Sequence, residues 1–230
     1  MKEKKSKLPS LPSYTRGEEI FNMTTHIAGG GLGLIALIAC VIVAAFNRNV
    51  WGIVSGGIYG FCVILLFTMS SVYHGLHIEL PKKIFRIIDH CTIFVLIAGT
   101  YTPITLCRFR EVYPYDAWIM FGAIWGFAVL GIVLNSIDMR RFKVFSIICY
   151  LGMGWMVVFR IDRLISVLGV NFFVMILLGG VFYTVGVLFY AKGKQVKFMH
   201  SVFHLFVNVA SILHSVAIAV FIMPGMLLPV

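Results

Sequence analysis

The stretch WGIVSGGIYGFCVILLFTMSSVYHG, residues 51–75, contains no Asp, Glu, Lys or Arg, and it carries Ser70 and His74 near its end. A helix needs about 20 predominantly apolar residues to cross a bilayer. Continuous apolar runs without strict alternation favour helices over the strands of a membrane barrel. The stretch therefore predicts a transmembrane helix with polar side chains in its last turns.

Six further apolar runs of similar length extend this character to most of the chain. They cover residues 24–46, 88–107, 117–137, 143–160, 164–190 and 198–223. Of the 230 residues, 60% are hydrophobic and 12% are charged, whereas soluble domains carry about 25% charged residues. We therefore expect an all-α integral membrane protein that forms a seven-transmembrane helix bundle.

The chain is expected to divide into a short tail and one membrane domain. Residues 1–14 are basic and contain Pro and Ser, which predicts a disordered tail. Thr15 and Glu18 have the spacing of a capping box, which predicts a helix start near Thr15. Because the connections between the apolar runs are short, residues 15–230 are expected to form a single domain with its chemistry inside the bundle.

Positive charge is distributed unevenly along the chain, whose formal net charge is +10. Fourteen of the 19 Lys and Arg residues lie before the first run or near alternate connections, and five lie near the other connections. Since positive charge is enriched on the cytoplasmic side, we expect a cytoplasmic N-terminus and a C-terminus outside. Basic residues placed in this way favour contact with anionic lipid headgroups rather than with nucleic acid.

Three of the predicted helices carry ionisable side chains near the same face of the membrane. His74 lies at the predicted cytoplasmic end of the second run, and Asp89 lies at the cytoplasmic start of the third. His200 and His204 lie in the first turns of the seventh run. A charged side chain at a helix centre costs about 2.5–3.5 kcal/mol on insertion scales. The shared depth of these residues therefore predicts a shared metal ion.

The histidine spacing predicts a zinc site. His200 and His204 are four residues apart on one helix face, so both imidazoles can bind one ion. With His74 as the third ligand, a fourth position stays open, as in catalytic zinc sites. Asp89 is expected to bind the metal directly or to hold its water, and Ser70 to donate a hydrogen bond to water or substrate. Three His ligands favour zinc and leave another first-row metal open.

The other histidines are expected to have lesser roles. His26 lies at the depth of the predicted metal site and is a candidate to support its ligands. His90 is expected to point away from its neighbour Asp89, and His77 to lie in a solvated loop. His214 is ten residues beyond His204, about 15 Å further along the helix axis, so we expect a packing role.

Small residues mark a close helix contact in the second run. Gly52, Gly56 and Gly60 recur every four positions, which predicts close packing against another helix. That partner is either inside the bundle or in a homo-oligomer. The five Cys residues are scattered through the runs and predict no disulfide framework.

A set of motifs, in order along nearly the whole chain, resembles the progestin and adipoQ receptor (PAQR) family, and specifically its bacterial haemolysin III branch. The motifs are Glu18-Glu19-x-x-Asn22-x-x-Thr25-His26, Ser70-Ser71-x-Tyr73-His74, Asp89 followed by Ala98-Gly99-Thr100-Tyr101-Thr102-Pro103, and His200-Ser201-Val202-Phe203-His204-Leu205-Phe206-Val207. The resemblance implies seven helices with a cytoplasmic N-terminus, which agrees with the charge distribution, and we expect the protein in the bacterial cytoplasmic membrane. The resemblance also implies zinc held by His74, His200 and His204, with Asp89 reaching the zinc through water.

The family is similar to alkaline ceramidases in its Ser, Asp and His pattern, which implies hydrolysis of lipid amides. We therefore expect a zinc-binding protein of membrane lipid homeostasis that hydrolyses an acyl-lipid amide or ester with a zinc-activated water. Asp89 would be the general base, and Ser70 would hold the water or the oxyanion. Membrane lipids are the expected partners. The alternatives are a non-enzymatic sensor or regulator with a structural zinc, and a pore-forming cytolysin.

Overall fold

In a computed structural model of the chain, described for residues 8–193 and 195–225, every regular element is helical. The α-helices are α1 (Arg16–Phe46), α2 (Val50–Gly75), α3 (Glu79–Pro103), α4 (Arg110–Val112), α5 (Pro114–Asp138), α6 (Lys143–Gly154), α7 (Ile161–Lys192) and α8 (Met199–Phe221). A π-helical segment, Ile104–Phe109, joins α3 to α4, and a 3₁₀ segment, Met156–Arg160, precedes α7. The described residues form no strand, which confirms the all-α prediction.

Six helical stretches in the described residues are long and apolar enough to cross a membrane. They are Arg16–Phe46, Val50–Gly75, Glu79–Val112, Pro114–Asp138, Lys143–Lys192 and Met199–Phe221. The fifth and sixth predicted runs lie together in Lys143–Lys192, which is 50 residues long. Large apolar side chains on the outer faces, such as Ile35, Phe61 and Leu188, are 60–64% exposed. Such faces suit contact with lipid and define a multi-pass membrane protein.

The 50-residue stretch changes its backbone conformation in two places. The α6 helix ends at Gly154 and passes into the 3₁₀ segment, and within α7 Gly169 has φ 80° and ψ 164°, a conformation essentially confined to glycine. Arg160 and Arg163 both contact the carboxylate of Asp116, with Arg160 Nε at 3.2 Å from Asp116 Oδ1. Since Asp116 lies in the first turn of α5, the junction before α7 lies at the end of the bundle where α5 begins.

Glycines bring α1 and α2 into close contact. A Cβ at Gly60 would lie 2.6 Å from the Cα of Leu37, and a Cβ at Gly56 would lie 3.0 Å from the Cβ of Cys40. A Cβ at Gly52 would lie 2.9 Å from the Cβ of Ala44, in the last turn of α1. The glycine repeat of α2 thus packs inside the bundle, which confirms the predicted close helix contact. The homo-oligomer stays a prediction.

The start of α1 is fixed by the predicted capping box and is joined to the start of α8. Glu18 N donates to Thr15 Oγ1 at 3.3 Å, and Thr15 N donates to Glu18 Oε2 at 2.8 Å. The Glu18 Oε1 atom accepts a hydrogen bond from Phe198 N at 2.7 Å. Ser201 Oγ donates to Asn22 Oδ1 at 2.7 Å. The first turns of α1 and α8 are therefore held side by side.

The end of α2 meets the start of α3 at this same end of the bundle. Lys82, in the first turn of α3, is 8% exposed. Its Nζ atom donates to the backbone oxygen of Leu76 at 2.9 Å and to that of His74 at 3.4 Å. Buried polar groups therefore cluster at one end of the bundle, where α1, α3 and α8 begin and α2 ends.

Candidate metal centre

Two histidines lie one turn apart on the same face of α8. His200 and His204 are 7% and 1% exposed, and their Nε2 atoms are 3.1 Å apart. Nitrogens that share one tetrahedral zinc ion, each bonded at about 2.0–2.1 Å, lie roughly 3.3 Å from each other. The two imidazoles are therefore close to the separation required of two ligands of one ion.

The third histidine reaches this pair from the last turn of α2. His74 is 1% exposed, and its ring centre lies 4.9 Å from that of His204 and 5.4 Å from that of His200. One ligand nitrogen from each ring can be chosen so that all three lie within 4.8 Å of one another. The structure therefore brings together the three histidines that the sequence predicts as ligands.

The nitrogen atoms of this cluster fit a bound cation. His74 Nδ1 lies 2.6 Å from Glu19 Oε2, so Nε2 is the nitrogen left for a ligand. Among the described residues, this buried Nε2 atom has no hydrogen-bond partner. Three imidazole nitrogens converging in this way suit zinc, whose catalytic sites use three protein ligands and keep a fourth position open.

Asp89 and Ser70 line a cavity that is also lined by His200 and His204. The side chain of Asp89 is 15% exposed. Among the described residues, the compact group of ligand atoms contains the three histidines and not Asp89. This arrangement favours Asp89 as the partner of a water molecule over Asp89 as a direct ligand.

The cavity has a volume of ≈ 180 Å³ and extends from these polar groups between α3, α6, α7 and α8. Its apolar lining includes Leu66, Ile97, Leu151, Phe173, Ile176 and Val207. A mainly apolar chamber with a few convergent polar groups is the usual form of a small-molecule site. The chamber suits a molecule that has a long apolar part and one polar, reactive group.

The other predicted histidines fall in three different places. The ring of His26 stacks on His204, with centroids 3.7 Å apart, so it supports a predicted ligand by packing rather than by a hydrogen bond. His77 is exposed in the connection after α2, as predicted. His214 Nε2 lies 3.1 Å from the Ile176 backbone oxygen, which confirms its packing role between α7 and α8.

The prediction that His90 points away from Asp89 is wrong. His90 Nδ1 lies 3.6 Å from Asp89 Oδ2, His90 Nε2 lies 3.1 Å from the Tyr190 hydroxyl, and all three residues line the cavity. Successive residues of a helix point about 100° apart. The cavity extends along α3 on more than one side, so two adjacent side chains reach it.

Glu19 and Tyr14 are two further residues of the site, and sequence reasoning missed the role of both. Glu19 follows the capping box directly and lies at the depth predicted for His74, a signal that was available in the sequence. The ring of Tyr14 stacks on His200, with centroids 5.0 Å apart and planes 15° apart. Burial and the neighbouring Tyr190 raise the pKa of the Tyr14 hydroxyl, so it stays protonated.

The position of Tyr14 depends on how the segment before α1 runs across the end of the bundle. The Ser10 backbone oxygen accepts a hydrogen bond from Arg86 Nη1, and the Leu8 backbone oxygen accepts one from Arg140 Nη2 at 2.7 Å. Residues 8–14 of the predicted tail therefore contact α3 and the connection after α5. Residues 1–7 lie outside the described part of the chain.

These features define a class of protein: a multi-pass helical membrane protein with three buried histidines converging at one end of the bundle. The chain belongs to the family described as haemolysin-III related, whose family model matches residues 14–215. The resemblance to the PAQR family in its haemolysin III branch is thereby confirmed. No solved structure matches the chain.

Curated relatives of the chain are found in bacteria and in animals. Hemolysin-3 of Bacillus cereus is 35% identical over 207 residues, which cover 90% of this chain and 93% of the relative. The Hemolysin-3 homolog of Bacillus subtilis (strain 168) is 37% identical over 194 residues, covering 84% and 89%. The human Monocyte to macrophage differentiation factor is 26% identical over 188 residues, covering 80% and 76%.

Proposed function

We propose that this chain is a zinc-binding protein of membrane lipid homeostasis that hydrolyses the amide or ester bond of an acyl lipid. The observation that carries the proposal is the convergence of three buried histidines, two of which, His200 and His204, line an apolar cavity together with Asp89 and Ser70. The residues that would hold the metal are His74, His200 and His204. Membrane lipids are the partners and substrates that an apolar cavity inside a membrane protein favours.

The residues around the histidines suit hydrolysis of an acyl bond. A zinc ion held there supplies Lewis acidity, which polarises a carbonyl group and lowers the pKa of water. Asp89 accepts a proton from the water as the water oxygen bonds to the carbonyl carbon. Ser70 donates a hydrogen bond to the water or to the carbonyl oxygen as it gains charge. The C–N or C–O bond then breaks, and the proton held by Asp89 passes to the leaving amine or alcohol.

The apolar part of the cavity suits the acyl chain of such a substrate. Leu66, Phe173 and Val207 are among the side chains that would contact the methylene groups. Because the surrounding lipid is as apolar as this lining, the chain would be held by close packing against these side chains rather than by its removal from water. The same lining keeps bulk water away from the carbonyl group, which strengthens the electrostatic interactions of Asp89 and Ser70.

We also propose that residues 143–192 cross the membrane twice, which gives seven crossings. At 1.5 Å per residue, 50 residues of helix measure about 75 Å, whereas the hydrocarbon core is about 30 Å thick. The contacts of Arg160 and Arg163 with Asp116 put the middle of the stretch at the start of α5. Near its end, the stretch is back at the opposite end of the bundle, where the Tyr190 hydroxyl lies 3.1 Å from His90 Nε2.

With seven crossings, the distribution of Lys and Arg favours a cytoplasmic N-terminus and a C-terminus outside. The histidine cluster then lies near the cytoplasmic face. The bacterial relatives favour a bacterial cytoplasmic membrane as the location.

Two other functions have an observation in their favour. The three histidines come from α2 and α8, so a metal ion would join two helices that are distant in sequence, as a structural zinc does in a non-enzymatic sensor or regulator. The names of the bacterial relatives, Hemolysin-3 and its homolog, favour a pore-forming cytolysin. Size-limited dye leakage from liposomes that contain the purified protein would support the cytolysin.

The proposal is tested first by metal content and then by activity. The purified full chain should contain roughly one zinc per molecule by mass spectrometry, and His200→Ala/His204→Ala should remove it, because the double variant leaves a single ligand. His77→Ala, an exposed histidine, is the matched control and should keep its zinc. The wild-type protein should then cleave at least one lipid in a panel of acyl amides and esters. A zinc-loaded protein that cleaves none would leave the structural role.

A further inference from the structure

We propose that Glu19 is a positioning residue that fixes the ring nitrogen with which His74 binds zinc. The inference deepens the proposed function and rests on its metal site. It concerns a side chain on α1, a helix that contributes none of the three predicted ligands.

Both carboxylate oxygens of Glu19 are engaged. Oε2 lies 2.6 Å from His74 Nδ1, and Oε1 lies 2.9 Å from Lys82 Nζ. The side chain of Glu19 is 15% exposed, and that of His74 is 0% exposed. The carboxylate is therefore held between a helix-capping lysine and an imidazole that is shielded from water.

This contact sets the tautomer of His74. An ionised carboxylate only accepts hydrogen bonds, so the proton of a neutral His74 ring must lie on Nδ1. The lone pair then lies on Nε2, the buried atom that has no hydrogen-bond partner among the described residues. Metal-binding histidines characteristically donate their other ring N–H to a carboxylate or a carbonyl group. Glu19 occupies that place behind His74.

Lys82 holds the carboxylate and the ligand together. Its Nζ atom contacts Glu19 Oε1 and also donates to the backbone oxygen of His74. Pairing with this cation compensates the buried charge of Glu19. The last turn of α2 and the first turns of α1 and α3 are thus fixed around one imidazole ring.

His74 differs in this respect from the two histidines of α8. The Nδ1 atoms of His200 and His204 are buried and have no hydrogen-bond partner within the described ranges. Their orientation comes from neighbouring rings, Tyr14 on His200 and His26 on His204. A change at Glu19 should therefore act on the metal through His74.

The test is the zinc dissociation constant of the purified full chain, measured by competition with a chelator of known affinity. Glu19→Ala should weaken zinc binding about 10- to 100-fold, the usual effect of losing such a partner. Glu19→Gln should weaken it less, because the amide oxygen still accepts the Nδ1 proton. Glu79→Gln, at an exposed ion pair with Lys83 in the first turn of α3, should leave the constant unchanged.

A second measurement separates positioning from a purely structural contact. The ¹⁵N spectrum of histidine-labelled, zinc-free wild-type protein should show His74 with its proton on Nδ1. A proton on Nε2 would overturn the proposal without any substitution. So would a Glu19→Ala protein that unfolds at a lower temperature when zinc-free and yet binds zinc as the wild type does.

The two proposals fail in different ways. A wild-type chain that binds no zinc contradicts the metal site itself, and the spectrum of His74 then still reports whether Glu19 sets the tautomer. If Glu19→Ala is folded and binds zinc as tightly as the wild type does, only the positioning role is contradicted.

Discussion

At the scale of single residues, Asp89 distinguishes hydrolysis from a structural zinc. Asp89→Asn keeps the size of the side chain and its place beside Ser70, but the amide cannot accept a proton from water. We expect full zinc content and a hydrolysis rate lowered about 10²- to 10⁴-fold, the usual contribution of a general base. Glu111→Gln, an exposed carboxylate at the other end of the bundle, serves as the control.

The assay for this prediction is the initial rate on the best lipid of the panel, measured beside the zinc content of each preparation. An Asp89→Asn protein that hydrolyses the lipid at the wild-type rate would rule out Asp89 as the base. If Asp89→Asn instead loses its zinc, Asp89 is a direct ligand, the alternative that the sequence leaves open.

Residue types and spacing in the sequence were sufficient to predict the three converging histidines. His200 and His204 are one helical turn apart however their helix packs, and the charge pattern predicts that His74 lies at the same depth in the membrane. The neighbours of the site were less accessible. His90 reaches the cavity because the cavity is wide, and Tyr14 reaches His200 because the segment before α1 runs across the bundle. Neither fact has a local signal in the sequence.

At the scale of helices, the contact between α1 and α2 predicts opposite effects for two neighbouring glycines. Gly60→Ala would force its Cβ to within 2.6 Å of the Leu37 backbone, which should destabilise the protein by about 1–3 kcal/mol, as overpacking usually does. Gly57→Ala meets no atom within 4 Å and should be neutral or stabilising by up to about 1 kcal/mol.

Thermal unfolding of both variants in the same detergent measures this difference. A Gly60→Ala protein as stable as Gly57→Ala would contradict the close approach of the two helices. The glycine spacing predicted such a contact, but the choice between α1 and a second copy of the chain required the packed structure.

The stretch from α6 to α7 shows what hydropathy misses at this scale. Both predicted runs, 143–160 and 164–190, are present as helix, since apolar composition determines where a chain can enter lipid. Their interruptions at the 3₁₀ segment and at Gly169 depend on backbone dihedral angles that an apolar run does not encode. The ion pairs of Arg160 and Arg163 with Asp116 place the start of α7 beside the start of α5.

At the scale of the whole molecule, the number of crossings is tested by the position of the C-terminus. With seven crossings the two termini lie on opposite sides of the membrane, whereas six crossings put them on the same side. We expect alkaline phosphatase fused after residue 230 to be active, because that enzyme requires export. A fluorescent protein fused at the same place should be dark, and one fused before residue 1 should be bright.

The same pair of fusions placed in the connection between α7 and α8 gives an independent reading. Seven crossings predict a cytoplasmic connection, which gives bright fluorescence and inactive phosphatase. The opposite pattern would mean that Lys143–Lys192 crosses once, and it would contradict the charge-based orientation of the last helix.

The sequence by itself determined the helical membrane class, the family and the residue types of the candidate metal site, because apolar runs, charge bias and i,i+4 spacing are local properties of the chain. Tertiary structure alone decided that His74 meets the α8 histidines beside Glu19, that His90 and Asp89 share one cavity, and that the α2 glycines face α1. Those facts depend on how helices distant in sequence rotate and pack against each other, and a helix fixes only the faces it offers, not its neighbours.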